Sequence, residues 1–140
     1  MDKQQKKELY DLALSATKNA YAPYSGYKVG AALLASSGKI YLGCNIENAS
    51  YSPTICAERS AFSAAVSAGE RSFLAIAVAG GKDGVITSCA YPCGVCRQVM
   101  AEFCKGDFLI LAAKNGDGDY EEHTLSELLP HGFGPQNLDN

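Results

Sequence analysis

The sequence predicts an α/β chain folded as a three-layer α/β/α sandwich around a five-stranded mixed sheet. Three observations predict it. Short, almost wholly apolar runs of strand length alternate with longer stretches whose apolar residues recur at helical spacing. The first two strand-like runs are separated only by a turn, whereas the next ones are separated by helical stretches, and helical crossovers join parallel strands. The composition, 47% hydrophobic with 19% charged over 140 residues, is that of one globular domain spanning 1–140 and not of a disordered chain.

The elements follow in order. From Lys3 to about Ala20, Leu9, Leu12, Ala13, Ala16 and Ala20 recur at helical spacing, with Asp2 placed to cap. Tyr21-Ala22-Pro23-Tyr24-Ser25-Gly26 is a turn-rich loop. Val29 to Ala35 is nearly all apolar and too short for a free-standing helix, so it reads as a strand buried on both faces. Ser36-Ser37-Gly38-Lys39 turns the chain into a second strand, Ile40 to Ile46, making an antiparallel hairpin. A polar loop through Pro53 leads to an alanine-rich helix from Cys56 to about Ala68, closed by Gly69. Its small residues at 57, 61, 64, 65 and 68 suit close packing on a sheet. Phe73 to Ala79 is the third strand, and Gly80-Gly81-Lys82-Asp83-Gly84 a loop.

Pro92 stands where helices favour proline, and Val95, Val99, Met100 and Phe103 mark the buried stripe of a third helix. Phe108 to Ala112 is the fourth strand. Asn115-Gly116-Asp117-Gly118 is a tight turn before a short fifth strand around Tyr120. Thr124 and Glu127 form a capping-box pair for a last short helix that ends at Pro130. The tail through Asn140 reads as irregular. Strands two, three and four run parallel, and the ends of such strands gather with the starts of the following helices at one edge, where ligands bind. Cys56 and Cys93 both fall at helix starts.

Composition excludes several classes. Net charge is −3 and there is no dense basic patch, which disfavours a polynucleotide partner held by its phosphates. No run reaches the length of a membrane span, and Met1-Asp2-Lys3-Gln4-Gln5 lacks the apolar core of a signal peptide, so the expected compartment is the cytoplasm with no membrane partner. The six cysteines therefore read as reduced thiols, with Cys44 and Cys104 in apolar contexts as small buried residues.

Two stretches carry chemistry: Cys56-Ala57-Glu58-Arg59 and Pro92-Cys93-Gly94-Val95-Cys96-Arg97. Cys93 and Cys96 lie three apart in a first helical turn, and Cys56 reaches them from a neighbouring helix start. A CxxC with one remote cysteine is the ligand set of zinc with one coordination position left open. Three thiolates on a dication leave about −1 at the site, which helix N-termini and the adjacent Arg59 and Arg97 moderate. Other readings stand beside this one. CxxC alone is also a redox pair, although that needs no third cysteine. Cys89 as a fourth ligand would close a structural site. Glu58 by itself is an acidic residue favoured in a helix's first turn; two residues past a ligand, it also sits where a proton carrier for a metal-activated water belongs.

The fragments C-A-E and P-C-x-x-C match the signature of zinc-dependent nucleobase deaminases in their three-cysteine form. More fully, the chain resembles the small, three-cysteine, homotetrameric cytidine deaminases. The resemblance runs from Ala22 to Pro130 on APYS, VGAALL, GCNIENASY, CAERSA and PCGVCRQVM, in that order. It implies one Zn2+ per chain on Cys56, Cys93 and Cys96, with Glu58 as proton shuttle and Arg59 hydrogen-bonded to ligand sulfurs. It implies that Asn45 and Glu47 grip ribose hydroxyls, that Tyr27 stands against the base, and that Ala57 contacts substrate. Tyr51 and Phe133 match positions that complete a neighbouring subunit's pocket. The implied reaction is hydrolytic deamination of cytidine and 2′-deoxycytidine to the uridine forms, with release of ammonia, in pyrimidine salvage. Two departures concern the motif: Tyr91 stands where a small Ser or Thr is common, and Val95 replaces Ala. Rival readings are a relative acting on a nucleoside antibiotic such as blasticidin S, against which the Asn45–Tyr51 loop argues, and a non-catalytic zinc protein.

Overall fold

Capping and close packing, more than helix propensity, decide where the elements of this chain begin and end. The computed structural model describes residues 1–138; the last two residues of the tail and of the expected 1–140 domain, Asp139 and Asn140, lie outside the described residues. The first helix, α1 (Lys3–Ala16), starts at Asp2. Asp2 Oδ1 accepts from the Gln5 main-chain N–H at 2.8 Å while Gln5 Oε1 accepts from that of Asp2 at 2.9 Å. A single 3-10 turn (Thr17–Asn19) ends it short of the expected Ala20. Tyr10, outside the expected stripe, is buried; its hydroxyl donates to the Asn115 carbonyl at 2.6 Å and accepts from Gly118 N–H at 2.9 Å.

The strands are β1 (Tyr27–Ala35), β2 (Ile40–Cys44), β3 (Phe73–Lys82), β4 (Leu109–Ala113) and β5 (Tyr120–Thr124). They form one five-stranded mixed sheet in the order β2-β1-β3-β4-β5. β1 is antiparallel to both neighbours, β3 and β4 are parallel, and β5 closes the edge antiparallel. β2, β3 and β4 thus run in one direction as expected, but β1 lies between β2 and β3. β3 is longer than expected: Gly80, Gly81 and Lys82 continue the strand opposite Val29, Lys28 and Tyr27. The glycines fit there because the chain folds back over them; a Cβ on Gly81 would lie 1.9 Å from the Val85 carbonyl oxygen.

Helices cover both faces. On one, Leu9, Tyr10 and Ala13 of α1 lie over Ala32, Ala75, Ala77, Ala79, Leu111 and Ala113. On the other, α2 (Ala57–Ser67) and α3 (Gly94–Phe103) cover Ala31, Leu33, Ile76, Val78 and Ile110, helped by α4 (Leu125–Leu128). The close face of α2 is Ala57, Ala61 and Ala65; Ala64 and Ala68 face outward. On α3 the buried positions are Cys96 and Met100, while Val95 is exposed, which corrects the expected stripe. Thr124 and Glu127 form their capping box, and the tail contains a 3-10 turn, Pro135–Asn137, where irregular chain was expected. Among the described residues no helix is long and apolar enough to cross a membrane.

Candidate active site

The helix starts place the cysteines. Cys56 and Cys93 are the N-cap residues of α2 and α3, both in extended conformation; the Cys93 side chain caps its own helix, whereas that of Cys56 makes no capping hydrogen bond. Cys96 follows within the first turn of α3, and its main-chain N–H donates to Cys93 Sγ at 3.5 Å. The sulfurs of Cys56 and Cys93 lie 3.7 Å apart, those of Cys93 and Cys96 3.5 Å, and all three fall within 4.8 Å of one another. Cys89 is outside this group; its thiol sits 3.6 Å from the Ala112 carbonyl.

Arg59, in the first turn of α2, donates from Nη2 to Cys56 Sγ at 3.3 Å. The Cys56 thiol is drawn down to about 5, first by its hydrogen bond with Cys96 and then by those with Arg59 and Cys93. Cys96 moves the other way, raised by the same bond to Cys56 and by burial. Without a cation, the first thiolate to form thus hinders the second. Arg59 Nε is buried beside the cluster with no hydrogen-bond partner among the described residues. Three convergent soft donors, all within 4.8 Å of one another, are a donor set that zinc fits.

Arg97 corrects an expectation. Its guanidinium does not serve the sulfurs: Nε donates to the Pro92 carbonyl and Nη1 to the Leu128 carbonyl, each at 2.6 Å.

Glu58, two residues past Cys56, is only 4% exposed. Burial pushes its carboxyl up to about 7, and the neighbouring Cys56 charge adds to the rise. It lines a cavity of about 460 Å³ together with Cys56, Cys93, Ala57 and Cys89. A buried carboxyl that gains and loses a proton near neutrality is suited to general acid–base work.

Tyr27, Asn45, Glu47 and Ser25 line the same cavity. Asn45 is buried and joins β2 to β1, accepting from Val29 N–H at 2.9 Å and donating to the Tyr27 carbonyl at 2.8 Å. Glu47 accepts from the main-chain N–H groups of Tyr24 and Ser25 at 3.0 and 3.1 Å, and from the Ser25 hydroxyl. These bonds, the Ser25 hydroxyl foremost, hold its carboxyl below the ordinary range. Ser25, Thr54, Ile55, Val78 and Ala90 also line the cavity and were missed in the sequence. Only Ser25 left a signal there, as the last residue of the APYS turn.

Tyr51 and Phe133 do not line this cavity. Tyr51 has a positive φ of 62°, is 73% exposed, and meets Tyr24 edge-on at 6.3 Å in a shallower neighbouring depression. Phe133 is 57% exposed, and its carbonyl accepts from Gln98 Nε2 at 2.8 Å. Tyr91 lines the cavity, and its hydroxyl is anchored on β5 by Glu121 at 2.7 Å.

This geometry agrees with known proteins. Residues 3–112 match the family model described as the cytidine and deoxycytidylate deaminase zinc-binding region. The chain is 53% identical over 123 residues to a cytidine deaminase of Sporosarcina psychrophila, covering 88% of this chain and 87% of that one. It is 46% identical over 128 residues to a cytidine deaminase of Halalkalibacterium halodurans, covering 91% and 93%. The crystal structure of a cytidine deaminase from Burkholderia pseudomallei superposes with a TM-score of 0.83 at 43% identity, covering 95% of this chain and all (100%) of that one. The cysteine cluster and the matched zinc-binding region fit one zinc per chain. By fold, by site and by these matches, the chain belongs to the cytidine deaminase family and is an enzyme of that family.

Proposed function

We propose that this enzyme hydrolyses cytidine and 2′-deoxycytidine to uridine and 2′-deoxyuridine, releasing ammonia, as a single-domain enzyme of cytoplasmic pyrimidine salvage. The observation that carries this reading is a buried carboxyl, Glu58, lining one cavity with Cys56 and Cys93 of the three-thiol cluster and with Glu47 and Asn45. Zinc held by Cys56, Cys93 and Cys96 supplies a water acidic enough to react near neutral pH. Glu58 manages the protons. It delivers one to ring nitrogen 3 of the pyrimidine and one to the exocyclic nitrogen, which leaves as ammonia while oxygen from water takes its place on carbon 4.

Arg59 offsets the negative charge that the thiolates bring. Glu47 and Asn45 engage the sugar, where an acceptor beside an amide suits hydroxyl groups that both donate and accept. Tyr27 and Ala57 flank the base. Tyr51 and Phe133, both exposed and outside the chain's own cavity, would complete the pocket of a neighbouring copy in a homotetramer. No polynucleotide partner is part of the reading.

The test is Glu58→Gln, followed by the absorbance change as cytidine becomes uridine, with zinc content measured alongside. The variant should keep its zinc and fold while turnover falls by about 1000-fold or more, since positioned acid–base groups contribute roughly 10²–10⁴-fold. Substantial turnover in that variant refutes the role of Glu58. One zinc per chain with no turnover of cytidine by the native enzyme refutes the activity.

A further inference from the structure

Arg97 has no partner among the sulfurs, and its contacts join two distant parts of the chain. We propose that Arg97 is a positioning residue whose guanidinium locks the Cys93–Cys96 turn to the C-terminal segment and thereby sets how tightly zinc is held. The proposal rests on the zinc site described above and not on the identity of the substrate.

Pro92 is buried and precedes the N-cap, so its carbonyl has no place in the hydrogen-bond ladder of α3. Arg97 Nε supplies the missing donor at 2.6 Å. The next carbonyl, that of Cys93, accepts from the Arg97 main-chain N–H at 2.9 Å. One residue therefore fixes the peptide planes on both sides of Cys93, and with them the direction in which its sulfur leaves the backbone. The second arm, Nη1, takes the Leu128 carbonyl in the last turn of α4, which lacks a helical partner of its own. The adjacent Gln98 holds the Phe133 carbonyl, so consecutive residues of α3 pin the C-terminal segment at two points.

Only arginine does both jobs. Its planar fork reaches two carbonyls at once, whereas the single ammonium of lysine makes a point contact. Groups that orient metal ligands without touching the metal change its affinity by about 10–100-fold when altered.

The test compares native zinc-loaded enzyme with Arg97→Gln, Arg97→Lys and Gln98→Ala. Zinc release to a chromophoric chelator is followed well below the unfolding temperature, and thermal melting is recorded for each variant. Both Arg97 variants should lose zinc about 10–100-fold more readily, and the cobalt-substituted Arg97→Lys enzyme should show displaced ligand-field bands. Gln98→Ala, which frees only Phe133, should retain zinc like the native enzyme. Native zinc retention in the Arg97 variants overturns the proposal, as does equal loss from Gln98→Ala, because the effect would then belong to the C-terminal segment as a whole. If Arg97→Gln does not fold, Arg97→Lys decides by the same readout. Release is measured without substrate, so the result stands apart from the deaminase assay: cytidine turnover with unaltered zinc retention sinks this proposal alone, and a native enzyme that holds no zinc sinks it together with the zinc site.

Discussion

At the scale of single residues, the two carboxylates of the cavity are tuned in opposite directions by elementary causes. Glu58 is buried and beside a thiolate, so its proton is held up to about 7. Glu47 accepts hydrogen bonds from the Ser25 hydroxyl and from the Ser25 and Tyr24 main chain, so it stays ionised below its ordinary 4.5. A carboxyl whose folded value is depressed contributes stability that is complete above the ordinary value and is lost as pH falls through the folded value. The melting temperature of the native chain should therefore exceed that of Glu47→Gln by a constant margin above about pH 5.5, a unit past the ordinary value, and the margin should shrink as the medium is acidified below 4.5. A margin independent of pH would show that the charge of Glu47 is not what holds the Tyr24–Ser25 turn. At neutral pH the same variant should raise KM for cytidine more than it lowers kcat, as expected for a group that grips the sugar and leaves the reacting atoms to others.

At the scale of elements, close approach of helix and sheet sets the frame of the site. A Cβ on Gly43 of β2 would lie 2.4 Å from the Ala57 carbonyl oxygen and 2.5 Å from the Ala61 nitrogen. The first turn of α2, which carries Glu58 and Arg59 behind Cys56, therefore rests directly on the β2 backbone. Gly43→Ala should destabilise the protein by about 2–3 kcal/mol in urea unfolding, because overpacking against backbone has no flexible side chain to yield. It should also weaken zinc retention by lifting Cys56 away from Cys93 and Cys96. An unchanged unfolding midpoint would mean that α2 can shift without loss. The run of small residues at 57, 61, 64, 65 and 68 was legible in the sequence, although only 57, 61 and 65 face the sheet. Its partner was not, since nothing local to Gly43 tells which helix crosses above it.

At the scale of the molecule, the two residues that the family resemblance implies for a neighbouring copy's pocket lie outside this chain's own cavity. Tyr51 and Phe133 are strongly exposed, and Val95 on α3 is an apolar residue left at the surface. If each site joins Glu58 of one copy with Phe133 of another, two defective chains can complement. Glu58→Gln and Phe133→Ala chains, each nearly inactive alone, should recover about a quarter of native activity when assembled together at equal amounts, since random assembly pairs the two intact residues in that share of sites. Additive activity without recovery would place Phe133 outside a shared site. Sedimentation of the native enzyme should give a tetramer.

What the sequence determined by itself was local and chemical. Cys93 and Cys96 share one helical turn, so their convergence was readable from spacing, and Cys56 and Glu58 were readable as a remote third thiol and a first-turn acid; that Cys56 meets the other two, and that Glu58 is buried, rests on packing. The elements were readable too, because apolar periodicity and caps act over a few residues. Tertiary structure alone decided what depends on chain segments far apart in sequence. It placed β1 between β2 and β3, carried β3 through Gly80–Lys82 to pair with the start of β1, and turned Val95 outward once Cys96 and Met100 had filled the inward positions. Above all it sent Arg97 to two main-chain carbonyls and away from the sulfurs. A carbonyl is the same group in every residue, so no residue type in the sequence announces which one will be left unpaired and within reach of a guanidinium.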